Sequence, residues 1–372
     1  MKNLLSLFLA LLILICTFSA CAGNAAKPET PSSAASSDST RPVVGISMST
    51  QTQARQLKDV EYLTASLDAL GYDVLVQYAD MDPTKQVSQI ENMINNGVAG
   101  IIISAWDAES LSSAVDTAAA NNIKVVCYDM LVSNTKNVSY YVTDNLYDCG
   151  RLQGEYIVKA LDLDNTAESF NLELFSGDPA DSNAPYFFNG AYDALSPYIE
   201  SGKLNVLSGQ IERDVTATAD WDGLKAQERM DTILSTFYYK GDTRIDAVMC
   251  NNDAIALGVL ASLKNVGYGT AEKPFPVITG MDCDIANIKA IKSGEISMTV
   301  FKDNRIIAKK AAEVMDCVLH DKTPQAGDAF ETTFNNGVCD VTAFLIAPEV
   351  IDKDNYQAAL FDSGYYSEDQ LK

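Results

Sequence analysis

From Arg41 onward the chain alternates short, continuously apolar runs with longer stretches whose apolar residues recur every three or four positions, and few folds accommodate that alternation. Val43-Val44-Gly45-Ile46-Ser47-Met48 reads as a buried strand. A helix over about 55–70 follows, carrying Leu57, Val60, Leu63, Leu67 and Leu70 and stopped by Gly71. Val74-Leu75-Val76, a helix over 84–96, Gly100–Ile103, a helix over 109–121 and Lys124–Tyr128 continue the series. This β-α-β-α-β-α-β order implies a parallel sheet with helices on both faces, and uninterrupted apolar strands suit a sheet covered on both sides. The pattern then repeats. Strands are predicted near 171–175, 204–207, 245–249 and 276–279, with helices near 145–161, 183–199, 220–237, 253–266 and 283–293. A strand at Met298–Phe301, a helix over 304–319 and a tail with the run Ala343-Phe344-Leu345-Ile346 close the chain. The fold class is α/β, with two similar doubly wound parallel-sheet lobes, as the length of 372 residues also suggests.

The first 41 residues are different. Met1-Lys2-Asn3 is a short positive start, and Leu4 to Phe18 is an apolar run of signal-peptide length, too short for a membrane span. Small residues precede Cys21, as in a lipoprotein signal (1–21) in which Cys21 is lipidated and becomes the mature N-terminus. Residues 22–41, rich in Ala, Ser, Pro and Thr, read as a flexible tether. The predicted location is therefore extracytoplasmic, lipid-anchored to the outer face of the cell membrane. Six cysteines follow the signal: Cys127, Cys149, Cys250, Cys283, Cys317 and Cys339. None forms a C-x-x-C pair, several sit in strand-like runs, and mostly free buried thiols are expected. A formal net charge of −23 excludes a basic stripe for nucleic acid.

In open parallel sheets ligands bind beyond the carboxyl ends of the strands, so polar residues there carry the functional signal. They recur: Thr50 to Gln56 after the first strand, Ser104-Ala105-Trp106-Asp107 after the third, and Asp129 after the fourth. The second unit supplies Ser176-Gly177-Asp178-Pro179-Ala180-Asp181-Ser182-Asn183, then Glu212-Arg213 and Trp221, then Asn251-Asn252-Asp253, Gly280-Met281-Asp282 and Lys302-Asp303. Carboxylates accept from pairs of hydroxyls, Arg and Lys donate to ring and hydroxyl oxygens, and Asn does both. A tryptophan face covers the apolar C–H side of a pyranose. Any one of these residues could simply cap the next helix. The series across seven or eight strand ends points to a sugar.

Several stretches carry a family likeness: Gln86-Val87-Ser88-Gln89-Ile90-Glu91-Asn92-Met93-Ile94 followed by Gly97, Tyr128-Asp129, Asp181-Ser182-Asn183-Ala184, Asn252-Asp253, Gly280-Met281-Asp282 and Phe301-Lys302-Asp303. With Asp354-Asn355-Tyr356 and Gly364-Tyr365-Tyr366, the chain from 42 to 372 resembles the periplasmic-binding-protein type I superfamily, in its xylose-binding and multiple-monosaccharide-binding branch. The resemblance implies two lobes joined by a three-strand hinge, crossing near 143, 301 and 330. The N-terminal lobe would be 42–143 plus 302–330, and the C-terminal lobe 144–301 plus 331–372. It also implies a monosaccharide ligand held by Arg55, Asp107 and Asp129 from the first lobe and Asp181, Asn183, Trp221, Asn252 and Asp282 from the second, with Lys302 at a crossing. The implied role is the substrate-binding protein of an ABC sugar importer, a monomer that closes on its ligand and meets the importer's membrane subunits, with no cofactor and no enzymatic activity. The alternative is a sugar-sensing or quorum-signal receptor that presents its closed form to a chemoreceptor or sensor kinase. The sequence departs from the family pattern at Gln56, where a Trp is common, at Met130, where an Arg is usual, and at Ser47 or Met48, which some xylose receptors replace with a basic residue. Stacking from the first lobe is then either lost or supplied by Trp106.

Other chemistries fit poorly. Asp80 to Glu91 echoes a calcium loop but lacks the glycine at position six and carries Pro83, which suits a helix start. His320, the one histidine, falls at a helix end, where a cation is favourable. The glycine fingerprints of nucleotide sites are missing.

Overall fold

A computed structural model describes residues 41–240 and 243–371; the apolar run before Cys21, Cys21 itself and the tether through residue 40 lie outside the described residues. The first part of the chain runs β1 (Val43–Met48), α1 (Ala54–Ala69), β2 (Asp73–Tyr78), α2 (Pro83–Asn95), β3 (Gly100–Ile103), α3 (Ser112–Ala120), β4 (Lys124–Tyr128) and β5 (Tyr140–Asp144). The second part runs α4 (Leu146–Ala160), β6 (Phe170–Phe175), α5 (Ala184–Glu200), β7 (Leu204–Asn205), α6 (Arg213–Thr216), α7 (Gly223–Phe237), β8 (Ala247–Cys250), α8 (Asp253–Asn265), β9 (Val277–Ile278), α9 (Ile285–Lys292) and β10 (Met298–Phe301). Then come α10 (Asn304–Leu319), β11 (Phe330–Asn335), β12 (Asp340–Ile346) and β13 (Glu349–Asp352).

The strands form a seven-stranded sheet ordered β11-β12-β5-β4-β3-β1-β2, a four-stranded sheet ordered β7-β6-β8-β9, and a β10-β13 ladder. All pairings within the two larger sheets are parallel except β11 with β12. Helices cover both faces of the larger sheet. Leu63 and Leu67 of α1 and Ile307, Ala311 and Met315 of α10 pack against Val44, Ile46, Ile102 and Val126. On the other face, Ile90 and Met93 of α2 and Val115 of α3 meet Ile101, Ile103 and Val125. The helix starts are local: the Asp82 side chain accepts from the amides of Thr84 and Lys85 with Pro83 in the first turn, as the sequence suggested in place of a calcium loop.

The chain passes between the sheets after Asp144, after Phe301 and after Ile346. The third passage corrects the expected boundary at residue 330. Segment 331–346 joins the first sheet: β12 runs parallel to β5, with Ala343 opposite Tyr141 and Ile346 opposite Asp144. Its apolar residues alternate between the two cores, Val341, Ala343 and Leu345 toward one and Phe344 and Ile346 toward the other, and both faces of this sheet are already covered. Only from β13 does the tail lie with the second sheet, pairing Met298 with Asp352. All six cysteines of the body are free, with Cys127, Cys149, Cys250 and Cys283 buried.

Candidate functional site

Residues just beyond the carboxyl ends of β1, β3, β4, β6, β8, β9 and β10 line one cavity. Arg55, Asp129, Asp181, Asn183, Trp221, Asn252, Asp282 and Lys302 all face it. Ser49, Gln53, Gln56, Trp106, Met130, Phe187 and Met281 complete the lining.

Asp107, also expected there, is not part of it. Its Oδ1 accepts from the amides of Glu109 and Ser110, both at 2.9 Å, and so closes the turn leading into α3. Burial opposes its charged form, yet these bonds hold its carboxyl below the usual range. The neighbouring Trp106 faces the cavity instead. Its loop is fixed by Gln86, which is fully buried on α2. Gln86 accepts from the Trp106 amide at 2.9 Å and donates to the Ser104 carbonyl at 2.9 Å and to Ser47 Oγ at 3.1 Å. Gln56 accepts from Ser49 Oγ and the Thr50 amide and braces the loop after β1.

A second indole stands on the other side. Trp221 ends a short turn, Ala219–Trp221, at a φ of 56°, and its Nε1 donates to Asp181 Oδ2 at 3.1 Å. Its ring lies flat against Gly177, where an added Cβ would come within 2.0 Å of it, and Phe187 meets it edge-on at 6.2 Å. Phe187 reaches the site because α5 presses close to α4: a Cβ on Gly150 would lie 1.8 Å from the Phe187 carbonyl oxygen.

Charge is concentrated at the floor. Arg55 clasps Asp129 through both terminal nitrogens, at 2.8 and 3.0 Å. Its third nitrogen, Nε, is buried, has no hydrogen-bond partner among the described residues, and lies 4.0 Å from carboxylate oxygens of both Asp59 and Asp282. Lys302 Nζ pairs with Asp282 at 2.8 Å. Asp129 adopts a φ of 61°, and its carbonyl accepts from Tyr141 Oη at 2.7 Å, Asn183 Nδ2 at 2.7 Å and Thr143 Oγ1 at 3.2 Å. The Asn183 bond joins the two halves of the cleft.

The environment sorts the carboxylates. Burial works against charge on Asp129, but Arg55 and then Lys302 hold it below the usual carboxylate range. Asp181 is raised to about 6, mainly by burial. Asp144, fully buried with neither carboxylate oxygen hydrogen-bonded among the described residues, is raised to about 7 by burial, against the pull of Lys302 and Arg55. Three lining carboxylates thus face two cations between two indoles, an arrangement that can grip several hydroxyls and cover an apolar ring face without demanding a charged ligand.

Sequence reasoning missed Phe187, which reads as an ordinary core position of a helix, and Asp144, which ends a strand that the sequence reading did not pick out. Asp59 carried a signal, standing four residues after Arg55 on the same helix face.

A cleft between two parallel α/β sheets, lined from both by hydrogen-bonding side chains, defines a two-lobed ligand-binding protein. The chain belongs to the periplasmic binding protein domain family, whose model matches residues 44–323. It is 43% identical over 332 residues to a multiple sugar-binding periplasmic protein of Azospirillum brasilense, covering 89% of this chain and 92% of that one. It is 31% identical over 329 residues to the D-xylose-binding periplasmic protein of Escherichia coli, covering 88% and 92%. Among solved structures, it is similar to an ABC transporter solute-binding protein of Clostridium phytofermentans with bound β-D-glucose, with a TM-score of 0.83 and 41% identity over 89% of this chain and all of that one. A carbohydrate transporter solute-binding protein of Chloroflexus aurantiacus, in complex with D-glucose, gives 0.77 and 28%, covering 88% and 97%.

Proposed function

We propose that this protein binds a monosaccharide between its two sheets and delivers it to an ABC-type sugar importer. The observation that carries the reading is the placement of Trp106 and Trp221 with Arg55, Asp129, Asp181, Asn183, Asn252, Asp282 and Lys302 around one cavity. The relatives support it, being named for sugar binding at up to 43% identity over nearly the whole chain. On this reading Arg55, Asn183, Asn252 and Lys302 donate to ring and hydroxyl oxygens, Asp129, Asp181 and Asp282 accept from hydroxyls, and the indoles cover the C–H faces. The lobes are 42–144 with 302–346, and 145–301 with 347–372. Ligand touching both favours the closed arrangement by its differential affinity for it. The body acts as a monomer, performs no chemistry on the sugar, and is tethered outside the cell membrane through lipid on Cys21.

A thermal-shift screen of residues 42–372 against D-glucose, D-galactose, D-xylose and L-arabinose tests this. A ligand at a hundredfold excess over its dissociation constant adds about 2.7 kcal/mol of stability to the native state. A shift with one or more of these sugars is expected. No shift with any of them contradicts the reading.

A further inference from the structure

The C-terminal segment is built into the second-sheet half but also touches α1 of the first. β13 is laddered to β10, and Leu360 and Phe361 pack in the same core as Val248 and Ile288. From there Tyr365 and Tyr366 reach α1, whose Lys58 ammonium lies 4.3 and 4.4 Å from their ring centres and donates to the Tyr365 carbonyl at 3.3 Å. The Tyr365 hydroxyl goes further inward. It donates to Asn304 Oδ1 at 2.5 Å, Asn304 Nδ2 donates to Asp59 Oδ1, and Tyr128 Oη donates to that same oxygen. Asp59 Oδ2 is left facing Arg55 Nε at 4.0 Å. Tyr365, Asn304 and Asp59 are all buried.

We infer that Tyr365 is a positioning residue for the ligand site, orienting Arg55 through Asn304 and Asp59. This rests on the monosaccharide reading for its effect on affinity, though not for the relay itself. The chemistry is directional. A side-chain amide has one accepting and one donating end, and only the donating end suits the accepting carboxylate of Asp59. The tyrosine hydroxyl, by donating to the amide oxygen at the other end, anchors the amide and fixes where its nitrogen meets the carboxylate. With that hydroxyl gone the amide is anchored at one end only, its bond to Asp59 loosens, and the carboxylate no longer presents a fixed oxygen to Arg55. Tyr366 makes a useful contrast. It shares the same lysine contact, but its hydroxyl donates to the Cys283 carbonyl at 2.9 Å, away from this chain of bonds.

The experiment compares Tyr365→Phe with Tyr366→Phe in the full-length protein. Each keeps its ring and loses one buried hydroxyl. Two readouts are taken: sugar affinity by calorimetry, and the Nε–H resonance of Arg55 by nitrogen-edited NMR without sugar, assigned by its loss in Arg55→Lys. Tyr365→Phe is expected to move the Arg55 resonance and weaken sugar binding about tenfold. Tyr366→Phe is expected to leave the resonance in place and affinity within about twofold. An unmoved resonance in Tyr365→Phe, or equal effects of the two substitutions, overturns the inference. If wild type bound no sugar, the monosaccharide reading alone would fall, because the resonance still reports on the relay.

Discussion

Arg55 and Asp129 form a two-pronged ion pair at 2.8 and 3.0 Å, although 74 residues separate them in sequence and each side chain is only 11% exposed. The pair stands in a crowd of carboxylates. Asp59, Asp144 and Asp282 each place an oxygen within 4.0 Å of the same guanidinium. Removing the cation leaves Asp129, Asp144 and Asp282 to Lys302, and stripping one partner from a buried pair costs about 3–5 kcal/mol. Arg55→Ala is therefore expected to lower unfolding free energy by about that amount at pH 7.5, measured by urea denaturation, and to abolish sugar binding.

Stability should depend on pH in an unusual direction across the weakly acidic range. Burial raises Asp144 to about 7, and Asp181 and Asp284 to about 6. An acid whose folded pKa lies above its unfolded value binds more protons folded than unfolded in the window between them. Stability then falls as pH rises from about 4 to 7 and levels off above. Acids held low, such as Asp129, act in the opposite sense but only below about pH 4. The sugar-free protein is expected to melt at a higher temperature at pH 5 than at pH 7.5. Asp144→Asn should raise the melting temperature at pH 7.5 and flatten the dependence. A melting temperature that climbs steadily from pH 5 to 7.5 would contradict this.

The chain has two tryptophans, and both line the cleft. Tryptophan fluorescence, excited at the red edge where tyrosine does not absorb, therefore reports from the ligand site alone. Saturating sugar is expected to change emission in wild type and in both single Trp→Phe variants. Gly177→Ala, which drives a methyl into the Trp221 ring, is expected to weaken binding by at least tenfold, a loss read directly by titration.

Asp107 offers a negative control. Because its carboxylate is spent on the amides of Glu109 and Ser110, Asp107→Ala should leave affinity within about twofold of wild type. It should cost about 1 kcal/mol of stability through the lost turn bonds. A large loss of affinity would mean that this aspartate reaches the ligand after all.

Most of this architecture was legible because parallel strands buried on both faces announce themselves as unbroken apolar runs, and the helices between them carry a clean period. The helix over 304–319 and the strand at 298–301 fall where the sequence placed them. What escaped were elements with a weak apolar pattern. β5, Tyr-Tyr-Val-Thr-Asp, has too little aliphatic character to stand out, and it hid Asp144 with it. β11, Phe-Glu-Thr-Thr-Phe-Asn, is a mostly exposed edge strand paired antiparallel to β12, and nothing in its pattern opposed the third passage near 330 that the family resemblance implied. At the site, the types of residue were readable from strand ends, but Asp107 shows that a polar residue after a strand serves either a ligand or a turn, and only geometry decides which.

The most direct test is calorimetric titration of D-glucose, D-galactose, D-xylose and L-arabinose into residues 42–372, in wild type and in Trp221→Ala. Saturable one-to-one binding of at least one sugar, lost in the variant while its circular dichroism is unchanged, is the predicted result. No binding of any of the four, or binding that survives Trp221→Ala undiminished, would contradict a monosaccharide site between the two sheets.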